Sequence, residues 1–338
     1  MDPRRAEIKL IYKGVNISRD IAPFLSSLTY TDNGNGNADD LSITLDDRDN
    51  KWRGAWIPKK GDDIKVEIVY HNWLKPNTKN VVKCGTFEVD GLSFKGPPDE
   101  LTIQALSYPG NSSIKGERRT KSWEKVTLKQ IASRIAAAAG YKLMFSTDDI
   151  SYDRLDQTEE TDLSFLSSTC DKEGLSLKIT NKTLVVFDDR YFESQKAVAT
   201  IKRGSGNIIS YSFDLQTIGS TYASCQVSYT TTTKKKKRTI KGTFHAPGIK
   251  GPVLKINERV ASEAEAIRKA RNALRNKNKE AQRGSITLMG DYRLAQGVTV
   301  NVAGFGGFDG KYYVESAKHT AGGGNATTQI ELRKVLGY

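Results

Sequence analysis

The stretch GFGGFDGKYYV, residues 304 to 314, is rich in glycine and at first suggests a phosphate-binding loop. Gly304 and Gly306 match the first two glycines of the dinucleotide-binding pattern G-x-G-x-x-G, but the position of the third is taken by Asp309. That pattern also requires a helix directly after the glycines, because the amides at its N-terminus bind the phosphate. Here the chain continues as KYYVES, a run typical of a strand. The stretch therefore predicts two strands joined by a turn, and no nucleotide or other cofactor is expected.

Cysteine and histidine residues are few and stand far apart in the sequence, at Cys84, Cys170, Cys225, His71, His245 and His319. An odd number of cysteines without a C-x-x-C motif argues against a disulfide framework and a zinc site, and indicates folding in a reducing cytoplasm. The signatures G-x-S-x-G, H-E-x-x-H and a Cys–His pair do not occur. We therefore expect no metal site and no enzyme activity.

Carboxylates are concentrated in the run DDISYDRLDQTEETD, residues 148 to 162. A pair of these could in principle serve a glycosidase, as in a cell-wall-degrading protein. If so, replacing Asp148, Asp149, Glu159 and Glu160 by amides should abolish lysis. Carboxylates at this density are more typical of solvated turns and helix caps, so a cell-wall-binding or degrading protein is only an alternative hypothesis.

Positive charge is concentrated in one segment. The formal net charge is +13, and residues 231 to 283 hold 16 Lys and Arg against 4 Asp and Glu. Within it, TTTTKKKKR interrupts two alternating runs and predicts a hairpin tip that projects into solvent. Such a cluster attracts nucleic-acid phosphate, but single-strand binding also uses aromatic residues, and none lies between Tyr229 and Phe244. A basic nucleic-acid-binding protein is thus a second alternative, and docking onto an acidic protein is favoured.

Two loops are the predicted partner-binding sites. The first is the basic tip, with Lys234, Lys235, Lys236, Lys237 and Arg238. The second is the loop NGNGN, with Asn33, Asn35 and Asn37. No apolar stretch approaches the length of a membrane span, and the N-terminal residues show no secretory signal, so no membrane partner is expected.

The first third of the chain alternates in the manner of β-strands. LSITLDD places Leu41, Ile43 and Leu45 on one side, and about six such runs are joined by Gly, Asn and Asp turns. Many short antiparallel strands without helices between them predict a small barrel or sandwich. We assign it to residues 1–118.

The period then changes to that of helices. TLKQIASRIAAAAG predicts a helix capped by Thr127 and closed by Gly140, and a second helix begins at Thr161 or Asp162. A hairpin through Asn181-Lys182 completes an α+β insert, residues 119–192. Strands resume in residues 193–338, together with one long helix over 263–283, whose Ser262 and Glu265 have capping-box spacing. The predicted fold class is α+β, mostly β: two small antiparallel β-barrel units, the insert, and the long helix in the C-terminal unit.

The order of elements near the C-terminus resembles a known family. A capped Ala-rich helix leads to GSITLMGDYRLAQGVTVNVAGFGGFDGKYYVESAKHT and then TTQIELRK. This is similar to the tail baseplate hub proteins of contractile phages, the late control protein D family, in which a G-D-x-x-L-x-x-G turn precedes a G-x-Y-x-V strand that ends near a histidine. The matching positions are Gly290, Asp291, Leu294, Gly297, Gly310, Tyr312, Val314 and His319. The resemblance covers the chain from about residue 120 onward.

The resemblance implies a structural role. Hub proteins of this family form trimeric rings in which two barrels per subunit match a sixfold tail tube on one side and a threefold central spike on the other. The implied partners are further copies of this chain, the tail tube protein, the central spike protein, and other baseplate and tape-measure proteins. The implied location is the baseplate of a virion or tail-like particle, assembled in the cytoplasm of the host bacterium. No fused lysozyme or spike domain is expected after the last strand, so any wall-degrading activity would reside on another chain.

Overall fold

The structure is a computed structural model that describes residues 3–34, 36–107, 116–216, 218–219, 221–233 and 236–338, without the side chains of residues 232, 233, 236 and 237. Its described part is mostly β, as predicted, with short helices and one long helix. Strands and helices are numbered here in chain order. None of the helices in the described ranges has the length and apolar character that crossing a membrane requires.

The N-terminal strands alternate as the sequence predicts. Leu41, Ile43 and Leu45 are buried on one face, while the residues between them are half-buried. These side chains pack with those of the neighbouring strands into one apolar core. The elements are β1 Arg5–Tyr12, β2 Val15–Asn16, α1 Ser18–Ile21, β3 Leu25–Asp32, β4 Asp40–Asp46, β5 Asp63–His71, β6 Lys79–Lys95 and β7 Glu100–Leu106.

The middle of the chain is the predicted α+β unit. The Thr127 hydroxyl accepts from the backbone N–H of Gln130, and the Gln130 side chain accepts from that of Thr127, so the predicted first helix begins with a capping box. Asn181 and Lys182 both have positive φ, 48° and 54°, which is the backbone of a tight hairpin turn. The elements are β8 Arg118–Thr127, α2 Leu128–Ala138, β9 Lys142–Ser146, β10 Ser151–Thr161, α3 Asp162–Lys172, β11 Ser176–Thr180, β12 Thr183–Phe187 and α4 Asp189–Ser194.

The C-terminal part contains a second β unit and a smaller helix-covered sheet. In the small sheet β15 lies between β16 and β17, and the long helix α5 packs on one face. The glycine-rich stretch 304–314 lies between two strands, as predicted. It contains a 3-10 turn at Gly306–Phe308, which follows β19, and the start of β20. The elements are β13 Ala199–Lys202, β14 Ile208–Leu215, β15 Ser224–Thr233, β16 Lys236–His245, β17 Val253–Asn257, α5 Glu263–Asn278, β18 Gln282–Met289, β19 Thr299–Ala303, β20 Gly310–Gly322 and β21 Asn325–Lys334.

The prediction of a helix over 263–283 is wrong at its C-terminal end. The helix ends at Asn278, and Gln282 and Arg283 belong to β18. The Asn278 side chain bonds to both the backbone N–H and the carbonyl of Tyr222, each at 2.9 Å, which fixes the helix end against the small sheet. Strand pairing then takes over, since Arg283 lies opposite Arg333 of β21.

Two separate closed barrels are not seen in the described residues, and this part of the predicted fold class is wrong. The strands form one 13-stranded sheet in the order β14-β18-β21-β20-β3-β4-β7-β6-β5-β1-β2, with β19 and β13 attached beside β20. The reason is the length of β20. Its first half pairs with β19, its second half pairs with β3, and a bulge at Glu315 bends it between the two.

Strand β20 and its neighbour β21 contribute side chains to two apolar cores. Ala321 and Ala326, from β20 and β21, lie in the core of the N-terminal strands. The opposite end of the same two strands supplies Tyr312, Val314 and Leu332 to the C-terminal β core. The division into 1–118, 119–192 and 193–338 stays a prediction.

Candidate assembly surfaces and the junction that positions them

A buried ion network joins the middle unit to the C-terminal sheet and to α5. Arg333 of β21 donates to Glu193 Oε1 at 2.6 Å and to Asp189 Oδ2 at 2.9 Å, and both carboxylates lie on α4. Arg275 of α5 and Lys279, the residue directly after this helix, reach the same two carboxylates at 2.9 and 3.0 Å. The side chain of Arg333 is only 1% exposed. The network therefore fixes three elements relative to one another with charges that are almost fully removed from water.

Electrostatics explain why Asp189 stays ionised there. Burial alone would raise the pKa of Asp189, but Lys279, Arg333 and the Ser176 hydroxyl outweigh it and lower the pKa to about 2. On β20, burial raises the pKa of Glu315, against the opposing effect of Arg283 and Arg333. Asp189 is thus compensated by two cations, Lys279 and Arg333.

A second buried contact joins the N-terminal strands to the middle unit. Lys178 of β11 lies against Asp32 at the end of β3 and is 3.5 Å from Asp39. Burial raises the pKa of Asp39 to about 6, against the opposing effect of Lys178. The backbone N–H of Gln296 donates to Asp32 at 2.8 Å, so one carboxylate connects all three parts of the chain.

The predicted partner loop NGNGN lies at this second junction. Asn33 uses its side chain internally, donating to the carbonyl of Ala38 at 2.9 Å and to Asp40 at 2.8 Å. A Cβ added at Gly36 would lie 2.7 Å from Ser167 Oγ, because the loop packs against α3. Asn37 is exposed and remains a predicted contact, while Asn35 lies outside the described residues. The glycines thus have a packing role that the sequence interpretation missed.

The motif residues that carry the family resemblance meet in space. His319 Nε2 lies 2.9 Å from the carbonyl of Leu294, and its Nδ1 lies 3.1 Å from Thr328 Oγ1. Burial lowers the pKa of His319, so the imidazole is neutral and Nε2–H donates to Leu294. A Cβ at Gly290 would lie 2.9 Å from the ring of Tyr70. The turn is therefore held tightly against both β units, which explains the spacing of the motif.

The strand at one end of the large sheet presents an apolar surface. β14 pairs with β18 on one side, and no described strand pairs with its other side. Ile209 is 54% exposed and Leu215 is 61% exposed. Next to them Tyr211 packs on Phe305, with ring centroids 4.9 Å apart. An exposed edge with large apolar side chains is a typical place for another chain to bind.

The basic hairpin is present as predicted up to its tip. The last described pair of the hairpin is Thr233 opposite Lys236. Lys234 and Lys235 themselves lie outside the described residues, and the side chains of Lys236 and Lys237 are not described. Arg238 is exposed. The role of these five residues as partner contacts stays a prediction.

Residues 151–161 of the acidic run 148–162 form a strand rather than the solvated turn that the sequence suggested, and Asp162 begins α3. The strand is β10, and it pairs with β8, whose sequence is rich in Lys and Arg. Asp149 accepts from the backbone N–H of Lys129 at 3.0 Å, near the start of α2. Asp156 pairs with Arg154 and accepts from the Ser122 hydroxyl at 2.6 Å. These contacts account for Asp149 and Asp156 as structural carboxylates.

Known proteins with similar sequences are tail proteins of bacteriophages. The chain is 32% identical over 168 residues to a probable baseplate hub protein of Escherichia phage 186. The aligned region covers 48% of this chain and 40% of the relative. It is 30% identical over 161 residues to the probable baseplate hub protein of Escherichia phage P2, covering 47% of this chain and 39% of that one. The match thus spans about two fifths of the length of these curated relatives.

Solved structures share the fold over nearly the whole chain. The tail protein from Neisseria meningitidis MC58 superimposes with a TM-score of 0.71 at 14% identity, covering 98% of this chain and 97% of that one. A component of the Escherichia coli type VI secretion system, described as structurally similar to the phage T4 tail proteins gp27 and gp5, gives a TM-score of 0.60 at 12% identity. That match covers 97% of this chain and 80% of the other.

The model of one protein family matches residues 116–333, which is well over half of the chain. The matched region begins just before β8 and ends at the buried Arg333, so it contains the middle unit, both junction networks in large part and the whole shared strand β20. The chain is a member of the YQBQ-like family.

Proposed function

We propose that this chain is the structural baseplate hub of a contractile tail, a ring that joins the tail tube to the central spike. The observation that carries the proposal is that β20 connects two β units into one continuous sheet. Two β units per chain would give six in a trimer, which is what a threefold ring needs to meet a sixfold tube. The names of the relatives from phages 186 and P2 support the same role.

In such a ring, the two ends of the large sheet would form the contact between neighbouring chains. β14 is the edge strand at one end, and the short β2 is at the other. The outer side of β1 beyond β2 is already engaged, since the backbone N–H of Ala6 donates to the carbonyl of Gly324 at 2.8 Å. Binding of one chain's β14 edge to the opposite end of the next chain is a head-to-tail contact, and such contacts generate closed rings when the rotation closes. The exposed Leu215 and Ile209 would be covered in that contact.

The further partners are the tail tube protein on one side of the ring and the central spike protein on the other, with other baseplate and tape-measure proteins nearby. The place of action is the baseplate of the virion or tail-like particle, after assembly in the cytoplasm of the host bacterium. The role is structural and needs no catalytic group or cofactor.

The test is assembly in the native producer. A strain that lacks this chain should make no complete baseplates, and the wild-type chain supplied in trans should restore them, with electron microscopy showing it as a threefold ring between tube and spike. The variant Leu215→Asp should fail to restore them and should run as a monomer in light scattering. Leu74→Asp, at a 39% exposed leucine in a loop, is the matched control. Normal particles without this chain would disprove the hub assignment, whereas a trimeric Leu215→Asp variant would disprove only the proposed contact.

A further inference from the structure

The small sheet β16-β15-β17 has one covered face and one open face. Helix α5 covers the first face closely, since a Cβ on Gly242 of β16 would lie 2.5 Å from the backbone nitrogen of Ile267. The covered face carries the apolar side chains of the three strands, among them Cys225 and Val227. Because side chains alternate along a strand, the residues between them point away from α5.

The open face is polar and cationic. Its central strand presents Gln226 and Ser228, which lie opposite Lys255 of β17 and Lys241 of β16. Both lysines are exposed, and strand spacing puts them roughly 10 to 12 Å apart across the middle strand. A hydroxyl pair, Thr230 and Thr239 at 3.0 Å, continues the polar surface toward the hairpin tip.

The described cations of this sheet and its loops lack carboxylate partners within the described part of the chain. Residues 234 to 259 contain nine Lys and Arg and a single acidic residue, Glu258. That carboxylate is taken by Lys269 of α5 at 2.6 Å. In the described part of the chain, no carboxylate oxygen lies within 4.0 Å of the side-chain nitrogens of Arg238, Lys241, Lys250, Lys255 or Arg259. Nine cations less one carboxylate give residues 234 to 259 a net charge of +8, which is more than half of the +13 of the whole chain.

We infer that the open face of the β16-β15-β17 sheet is a docking surface for the acidic face of a partner protein. Charge complementarity and the hydroxyl and amide groups between the lysines suit carboxylates, which accept from both. The described open face carries no Phe, Tyr or Trp, so it offers no stacking platform for single-stranded nucleic acid. The inference does not depend on the hub assignment.

The experiment measures binding of the full-length chain to fluorescently labelled poly-L-glutamate by anisotropy, at 50 and 200 mM salt. The double variant Lys241→Gln/Lys255→Gln should bind about five- to tenfold more weakly at low salt, because two exposed charge contacts are lost. The matched control is Lys65→Gln/Lys83→Gln, which removes the same charge from exposed lysines of β5 and β6 and should change binding less than twofold. A 20-bp DNA duplex of comparable charge is the second probe.

Equal weakening in both double variants would show that net charge alone drives binding and would overturn the inference. Tighter binding of the DNA duplex, lost only in Lys241→Gln/Lys255→Gln, would also overturn it, because the surface would then serve nucleic acid. Selective loss of poly-L-glutamate binding in that variant, with the circular dichroism of the wild-type chain, would support it.

Discussion

Removing Arg333 is the most direct test of the junction between α4, α5 and the large sheet. In the variant Arg333→Met an apolar side chain of similar length fills the space, but Asp189 and Glu193 each lose a bond of 2.6 to 2.9 Å. Taking away one partner of a buried ion pair costs about 3 to 5 kcal/mol, because the remaining charge is left uncompensated. We expect a loss of that size in the free energy of unfolding at pH 7.

The pH dependence of this loss follows from Asp189. Its pKa of about 2 lies below the ordinary value of 3.8, so its ionised form stabilises the folded state above pH 4, and that contribution disappears as the pH falls through 2. The shift corresponds to about 2 to 3 kcal/mol. Without Arg333 the pKa of Asp189 should rise, so the difference between variant and wild type should shrink on acidification from pH 7 to pH 3.

Guanidinium unfolding followed by tryptophan fluorescence and far-UV circular dichroism measures both effects. The matched control is Arg48→Met, since Arg48 pairs with Asp46 at 2.5 Å with its side chain 75% exposed. Exposed pairs contribute about 0 to 1 kcal/mol, so the control should lose no more than that. If Arg333→Met lost as little as the control, or lost the same amount at pH 3 as at pH 7, the buried network would not hold the junction as argued.

Two further changes test other parts of the fold. Asp39 has a pKa near 6, above its ordinary 3.8, so ionisation of Asp39 destabilises the folded state as the pH rises from 4 to 6. The free energy of unfolding of Asp39→Asn, relative to that of the wild type, should therefore increase by about 2 to 3 kcal/mol between pH 4 and pH 7. Urea unfolding measures this difference, and parallel pH dependence of the two proteins would contradict the prediction. Gly242→Ala places a Cβ against the backbone of Ile267 and should cost about 1 to 3 kcal/mol in thermal and chemical unfolding. Gly307→Ala, with open space around the added Cβ, should cost much less.

Local signals in the sequence predicted local structure well. The caps at Thr127 and Thr161 and the hairpin turn at Asn181 are all confirmed, because each depends on a few neighbouring residues. The alternation of Leu41, Ile43 and Leu45 likewise predicted which face of β4 is buried. The end of α5 was wrong because it depends on Tyr222, a residue 56 positions away.

Long-range structure left no such signal. Alternation along β20 is the same whether the strand pairs with β3 or closes a separate barrel, so the sequence suggested two barrels where there is one sheet. Arg333 follows the apolar Leu332 and reads as a solvent-facing residue, yet α4 covers it. The charged junction was therefore missed entirely, while the basic hairpin was found because its charge is contiguous in the sequence.

The shared strand also has a consequence for how the chain can fold during synthesis. Residues 28 to 32 of β3 find their second neighbour only at residues 317 to 321 of β20, and Ala326 completes the same core. When the N-terminal strands leave the ribosome, one edge of their sheet has no partner and their core lacks its last side chains. Contacts so distant in sequence form slowly, and unpaired edges invite aggregation in the meantime. The N-terminal third thus cannot reach its native state until the last few residues of the chain have been made.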